Sequence, residues 1–279
     1  MNFTEQLARA EALNDSMLCV GLDPDPARFP GSWKDDPARI FDFCATIVDA
    51  TRDLVIAFKP QIAYFAAQRA EEQLERLIAH IHQVAPQVPV ILDAKRGDIG
   101  STAEQYAREA FERYRADAVT LSPFMGFDSI EPYLAYEGKG AILLCRTSNP
   151  GGSDLQAQRL ANGDTLFEHI ARLAHGRWNR SGQLALVVGA TFPAEIERVR
   201  ELAPTLPLLI PGIGAQGGDA VATVRAGWRA DAGGRTVGPI IVSSSRAVLY
   251  ASRGDNFAAA ARAAAQATRL ELNRARAPD

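Results

Sequence analysis

Nearly unbroken apolar runs of five or six residues recur along the chain, separated by longer stretches in which apolar residues return at helical spacing. The runs predict strands at Met17–Leu22, Leu54–Lys59, Val88–Asp93, Ala118–Ser122, Ala141–Arg146, Leu184–Gly189, Leu206–Pro211 and Ile240–Ser244. The intervening periodicity predicts helices near 37–52, 64–85, 101–115, 128–136, 163–178, 193–202, 217–227 and 255–274. The first residues, Met1-Asn-Phe-Thr-Glu-Gln-Leu, read as the opening of an amphipathic helix.

The strands are apolar throughout rather than alternating, as expected where both faces of a parallel sheet are covered. Eight strand–helix units in 279 residues describe an α/β protein of the (β/α)8 TIM-barrel class. A doubly wound open sheet is the structural alternative. No linker, low-complexity stretch or composition shift divides the chain, so residues 1–279 are expected to form a single barrel domain. Gly-rich stretches at 149–152 and 211–218 follow strands directly, as loops at the functional face would. Residues Trp228–Gly238 read as a further exposed loop.

Composition narrows the classes of function. A net charge of −3 gives no general affinity for nucleic acid or an acidic membrane surface, so neither is expected as a partner. No apolar run approaches the roughly 20 residues that span a bilayer, and the N-terminus lacks the pattern of a signal peptide. Cys19, Cys44 and Cys145 lie far apart, without the spacing of a metal or disulfide framework. They are read as buried, reduced thiols of a cytoplasmic protein. His80, His82, His169 and His175 fall on predicted helices, His80 and His82 on different sides of one helix. No metal site is expected.

Polar residues interrupt the pattern where the strands end. The first strand runs into Asp23, the second ends in Lys59, the third in Asp93 followed by Lys95, and the eighth runs into Ser243-Ser-Ser-Arg246. Singly, such a residue often caps a helix or reaches solvent. In a barrel these ends converge on one mouth, where several charges together point to a site. Asp93, Lys95 and Asp98 set two carboxylates around one ammonium, and Lys59 brings a second cation. Alternation would keep every group ionised; one contact at about 4 Å is worth roughly 4 kcal/mol before desolvation at an effective dielectric near 20. Lys95 is thereby expected to act as a cation and acid, not as a Schiff-base nucleophile.

A second constellation is Pro211-Gly-Ile-Gly214-Ala-Gln216-Gly-Gly218-Asp219. Gly212, Gly214 and Gly217 match the dinucleotide pattern G-x-G-x-x-G, but after the seventh strand rather than the first. That position favours a phosphate monoester, which barrels commonly hold between the seventh and eighth loops. Arg246 stands where it could make a bidentate contact to the same anion. A third stretch, Arg146-Thr-Ser148-Asn149-Pro150-Gly-Gly, has the composition of an ordinary turn, yet its place at the mouth makes Ser148 a candidate ring-binding residue. Arg96-Gly97-Asp98 spells a cell-adhesion tripeptide, read here as coincidence.

Leu92-Asp-Ala-Lys-Arg-Gly-Asp-Ile-Gly-Ser-Thr102 resembles the D-x-K-x-x-D-I-x-x-T signature of orotidine 5′-phosphate decarboxylases, in the form of the longer, bacterial type 2 branch. Phe58-Lys-Pro-Gln-Ile-Ala-Tyr-Phe65, Thr147-Ser-Asn-Pro-Gly151, Gly212-Ile-Gly-Ala-Gln-Gly-Gly218 and Ser244-Ser-Arg246 match in order, from about Val20 to Ala251. The resemblance implies a homodimeric barrel that converts OMP to UMP and CO2 without a cofactor. It implies Lys95 as proton donor to C6 of the pyrimidine, Asp93 beside the substrate carboxylate, and Lys59 in the charge network and on the ribose. Asp98 and Thr102 would reach the partner subunit's site, Asp23 would bind ribose hydroxyls, Ser148 the pyrimidine, and Gln216 with Arg246 the phosphate.

Two other readings remain. Metal-dependent aldolases of the same superfamily, similar to hexulose-phosphate synthase, share the D-x-K-x-x-D core but carry a metal-binding Glu where this chain has Lys59. A non-catalytic phosphate-binding barrel would be expected to have lost a charge from the set, and none is missing.

Overall fold

The computed structural model describes residues 1–213 and 217–276. Its eight strands are β1 (Leu18–Leu22), β2 (Ala57–Pro60), β3 (Ile91–Arg96), β4 (Ala118–Leu121), β5 (Gly140–Arg146), β6 (Leu184–Val188), β7 (Leu208–Pro211) and β8 (Ile240–Ser244). All of their pairings are parallel, in the order β2-β1-β8-β7-β6-β5-β4-β3. The remaining neighbours, β2 and β3, meet through bridges Phe58–Val90 and Gln61–Asp93, which complete the ring. The helices are α1 (Phe3–Asn14), α2 (Ile40–Thr51), α3 (Ile62–Ala66), α4 (Glu71–Val84), α5 (Gly100–Arg108) and α6 (Glu131–Leu134), then α7 (Leu166–His175), α8 (Pro193–Leu202), α9 (Ala220–Gly227), α10 (Arg246–Leu249) and α11 (Phe257–Arg274). The fold is the expected (β/α)8 barrel.

Side chains alternate across each strand, so residues two apart share a face. Val20, Leu22, Phe58, Leu92, Val119, Leu143, Leu186, Ile210 and Val242 point outward and pack under the helices. Cys19, Ala57, Ile91, Ala118, Ile142, Ala185, Leu209 and Ile241 fill the barrel interior. One inward step further along lie Gly21, Lys59, Asp93, Thr120, Leu144, Val187, Pro211 and Ser243. The apolar inner layer is thus a floor, and the polar layer above it faces the C-terminal mouth.

The N-terminal end of the barrel is closed by α1. Asn2 caps it: its side chain accepts from the Glu5 amide, and the Glu5 carboxylate accepts from the Asn2 amide. Phe3, Leu7 and Ala10, at helical spacing, join the interior cluster. Gly140 at the start of β5 makes room, since a Cβ there would stand 2.4 Å from the Phe3 ring.

Several boundaries differ from the sequence expectation. The helix expected over 64–85 is two helices, because Arg69 turns into the left-handed region (φ 53°) between α3 and α4. The helix expected over 101–115 is α5 followed by a π-turn at Glu109–Arg113. The one expected from 217 begins at Ala220, where the Asp219 side chain accepts from the Ala222 amide. The third strand lies later than expected, Ile91–Arg96 rather than Val88–Asp93, so Lys95 belongs to the strand itself. The short α10 after β8 has no apolar period that would have announced it. Residues 228–238 connect α9 to β8 at the N-terminal face, away from the mouth, and are tied to α1 through Thr236 Oγ1, which donates to Glu11 Oε1 at 3.0 Å.

Replacing Leu7 with Ala should lower stability to urea by about 3 kcal/mol, the usual cost of an internal Leu truncation. Turnover per folded molecule should stay unchanged, since α1 closes the end of the barrel opposite the mouth. A matching loss of turnover would show that the floor also sets the geometry of the site.

Candidate active site

The polar inner layer opens into a cavity of about 510 Å³ at the C-terminal ends of the strands. Asp23, Lys59, Asp93, Lys95, Ser148, Gly212 and Arg246 all line it. Asp93 is at its base, buried, with Lys59 Nζ 2.8 Å from Oδ2 and Lys95 Nζ 2.6 Å from Oδ1. The Thr120 hydroxyl donates to Oδ1 at 2.9 Å. Burial alone would drive both Lys59 and Asp93 toward their neutral forms. It is outweighed on each side: Asp93 and Asp23 raise the Lys59 pKa above the ordinary lysine range, and Lys59 with Lys95 hold Asp93 below the ordinary carboxylate range. Lys59 is enclosed, whereas the Lys95 side chain is about half exposed (47%) to the cavity and solvent.

Asp23 extends from the end of β1 with Oδ1 buried and without a protein partner among the described residues. Its backbone is fixed by Tyr250, whose hydroxyl donates to the Asp23 carbonyl at 2.9 Å and accepts from the Asp25 amide at 2.7 Å. A firmly held carboxylate with an unused buried oxygen suits a hydroxyl-bearing ligand. Gly21 is required beside it, because a Cβ there would fall 1.9 Å from Ser245 Oγ.

At the expected phosphate end, Gly212 and Gly217 adopt φ values of 107° and 82°, a region that favours glycine. The Gly218 amide donates to the Gly212 carbonyl at 3.1 Å. Gly214 and Gln216 lie outside the described residues. Arg246 begins α10 and stands exposed on the cavity rim.

Ser148 lines the opposite wall, on the loop that follows β5. That loop is braced by Arg146, a buried guanidinium whose Nε donates to Glu195 Oε2 at 2.6 Å and whose Nη2 donates to Ser153 Oγ at 3.0 Å. Gln156 Oε1 accepts from the Thr147 amide at 2.8 Å. Leu144, Leu155, Val187 and Ile213 supply an apolar surface around the cavity. Such a cavity, polar at both ends and apolar between, can hold a flat ring joined to an anionic tail.

Asp98 and Thr102 are not brought into this cavity. The Asp98 carboxylate accepts from the Ile99 amide, and Thr102 is exposed on α5. Ile99, Phe124 and Met125 are exposed, Phe124 by 78%. Arg96 pairs with Glu109 at 2.8 Å and covers the Tyr106 ring, so the adhesion-like tripeptide has a local structural use. Cys19, Cys44 and Cys145 are buried free thiols, and burial pushes Cys19 up to about 12. His80 and His82 pair separately with Asp49 and Asp117, and among the described residues no three His, Cys, Asp or Glu side chains cluster as metal ligands would.

Thr120, Arg146 with Glu195, and Tyr250 are site residues that sequence reasoning passed over. Thr120 had a signal, as the polar member of an otherwise apolar strand two positions on from an inward-facing Ala118. Arg146 had the signal of a charge ending an apolar strand, though its partner Glu195 is remote in sequence; Tyr250 had none.

Fold and site together define a (β/α)8 barrel with an Asp–Lys charge network at its mouth. The orotidine 5′-phosphate decarboxylase / HUMPS family profile matches residues 16–263, and the chain belongs to that family. The orotidine 5′-phosphate decarboxylase of Leptothrix cholodnii is 76% identical over 280 residues, covering 99% of each chain. That of Methylibium petroleiphilum is 74% identical over 279 residues, covering 99% of this chain and all of the relative. Among solved structures, Leishmania donovani OMP decarboxylase superposes with a TM-score of 0.84 at 38% identity over 99% of both chains.

Asp93→Asn strands Lys59 without its carboxylate and should destabilise the protein by about 3–5 kcal/mol near neutral pH. Because folding depresses the Asp93 pKa, its contribution is present above the unfolded carboxyl value, about pH 4, and is lost as pH falls through the lower folded value. Urea midpoints of the two proteins should therefore differ by a constant amount around neutrality and converge in acid. Equal midpoints at neutral pH would show that the pairing contributes no stability.

Proposed function

We propose that this chain is an orotidine 5′-phosphate decarboxylase, releasing CO2 from OMP to give UMP without a metal or organic cofactor. The observation that carries the reading is Asp93 held between Lys59 and Lys95 at the base of the cavity, in a chain 76% identical to a decarboxylase along its whole length. Breaking the bond between C6 and the carboxylate leaves an electron pair on C6. The Lys95 ammonium, fixed by Asp93, stabilises that developing charge and then gives C6 its proton. Asp93 faces the departing carboxylate. Lys59, paired with Asp93 and in the field of Asp23, holds the Asp93 carboxylate and reaches toward the ribose, whose hydroxyls donate to Asp23. Ser148 serves the pyrimidine; Arg246, with Gln216 and the loop of Gly212, Gly214 and Gly217, serves the phosphate. Binding energy from that remote end holds the reacting ring in place.

A metal-dependent reading of the same superfamily is disfavoured by Lys59. Its ammonium stands 2.8 Å from Asp93, where a divalent cation seeking that carboxylate would meet a like charge. The active unit we propose is a homodimer with shared sites. Asp98 and Thr102 are absent from the lining of their own cavity, and Ile99, Phe124 and Met125 are exposed apolar side chains, as on a surface that meets a neighbouring subunit. None of the described helices is long and apolar enough to cross a membrane, and with its buried thiols we place the protein in the cytoplasm.

Lys95→Ala should reduce decarboxylation of OMP by several orders of magnitude while UMP binding remains measurable; near-normal turnover would falsify its role as proton donor. Mixing inactive Lys95→Ala and Asp98→Ala proteins should restore part of the activity, because one hybrid site receives both native residues. A mixture that stays inactive although subunits exchange would assign Asp98 to its own chain.

A further inference from the structure

The catalytic segment of β3 is not regular strand. Pairing with β4 joins Leu92 to Val119 and then Arg96 to Leu121, so β3 advances four residues while β4 advances two. Two residues are surplus between these pairs; Ala94 packs against the outer core, while Lys95 lines the cavity and takes a left-handed backbone conformation with φ 48°. For a residue other than glycine this conformation costs on the order of 1–3 kcal/mol and persists only where the surroundings enforce it. The bulge also removes the Ala94 and Lys95 amides from the ladder, and both need another acceptor.

One atom meets these demands. Thr120 Oγ1, on β4 between the two paired residues, accepts from the Ala94 amide at 3.0 Å and from the Lys95 amide at 3.0 Å. Its own hydrogen goes to Asp93 Oδ1 at 2.9 Å, the same oxygen that receives Lys95 Nζ. A hydroxyl has one donor and two acceptor sites, so Thr120 is fully engaged, and all three bonds end on the Asp93–Lys95 segment. Its side chain is buried, with 1% of the residue exposed, and does not line the cavity.

We infer that Thr120 is a positioning residue for decarboxylation: its hydroxyl sets the bulge that aims Lys95 and simultaneously fixes the carboxylate oxygen that Lys95 grips. Valine matches threonine in shape but can neither accept the two amides nor hold Asp93. The lysine then relaxes toward ordinary strand geometry, which draws its ammonium away from the reacting carbon. The substrate's remote contacts through Ser148 and Arg246 are left as they were. This inference rests on the reading of Lys95 as proton donor.

The test compares Thr120→Val, Thr120→Ser and Lys95→Ala with the native enzyme. Thr120→Val should lose on the order of 10²-fold in kcat, the scale of a displacement of about 1 Å in a reacting group. KM for OMP and Kd for UMP should each stay within about threefold, because the ligand's binding contacts are untouched. Thr120→Ser, which keeps the hydroxyl and loses only the methyl, should recover kcat to within about fivefold of native. Folded Thr120→Val with native kcat would overturn the inference, and so would a Ser variant as impaired as the Val variant. If Thr120→Val does not fold, Thr120→Ala replaces it, with the same loss expected and native kcat again overturning the inference. Native turnover in Lys95→Ala would instead remove the underlying reading, which separates the two failures.

Discussion

The site depends on one buried carboxylate and the cations that keep it ionised. Asp93 accepts from Lys59, Lys95 and Thr120, and without those partners a carboxylate so enclosed would take up a proton. The dependence is mutual, since Lys59 is itself enclosed and stays charged through Asp93 and Asp23. Each charge is costly alone and stable only as part of the set. Of the set, Lys95 alone is half exposed, so the fold buries Lys59 and Asp93 and leaves open the group proposed to react.

The barrel brings these groups together through the period of its strands. Inward positions alternate, so a strand with an apolar side chain at the floor places its next inward residue at the mouth. Cys19 is followed by Gly21, Ala57 by Lys59, Ile91 by Asp93, Ala118 by Thr120 and Ile241 by Ser243. The floor is closed from below by α1, and the loops above it carry the parts expected to hold the ring and the phosphate. Stability and chemistry are thereby assigned to opposite ends of the same strands. The exception is β3, where the bulge at Ala94 and Lys95 sets a strained residue within the strand itself.

The barrel was legible because eight apolar runs lack alternation and are spaced by helical segments; a doubly wound open sheet shares that pattern, and the count of eight units favoured the barrel. Asp23, Lys59, Asp93, Lys95, Ser148 and Arg246 were legible as polar residues at strand ends, and the cavity gathers all of them. What was hidden is conformational. Nothing in Ala94-Lys95 announces a left-handed backbone, and nothing in Arg69 announces the break between α3 and α4, since both residue types fit a regular element. The bracing of Asp23 by Tyr250 and of the Ser148 loop by Arg146 and Glu195 was equally hidden, because such contacts depend on how distant elements dock. Thr102 showed only a family signature, whereas Asp98 was read as the second carboxylate beside Lys95. Among the described residues of one chain Lys95 pairs with Asp93 alone, and Asp98 accepts from the Ile99 amide outside the cavity, so its assignment to a partner subunit is a proposal.

The central claim is that the charge network alone, with no metal, suffices for decarboxylation of OMP. Its most direct test follows the loss of absorbance of OMP incubated with the purified protein in excess EDTA, with the product identified as UMP. UMP should accumulate at the rate seen without chelator, with one CO2 released for each molecule formed. Absence of turnover in EDTA, restored by adding a divalent cation, would contradict the account.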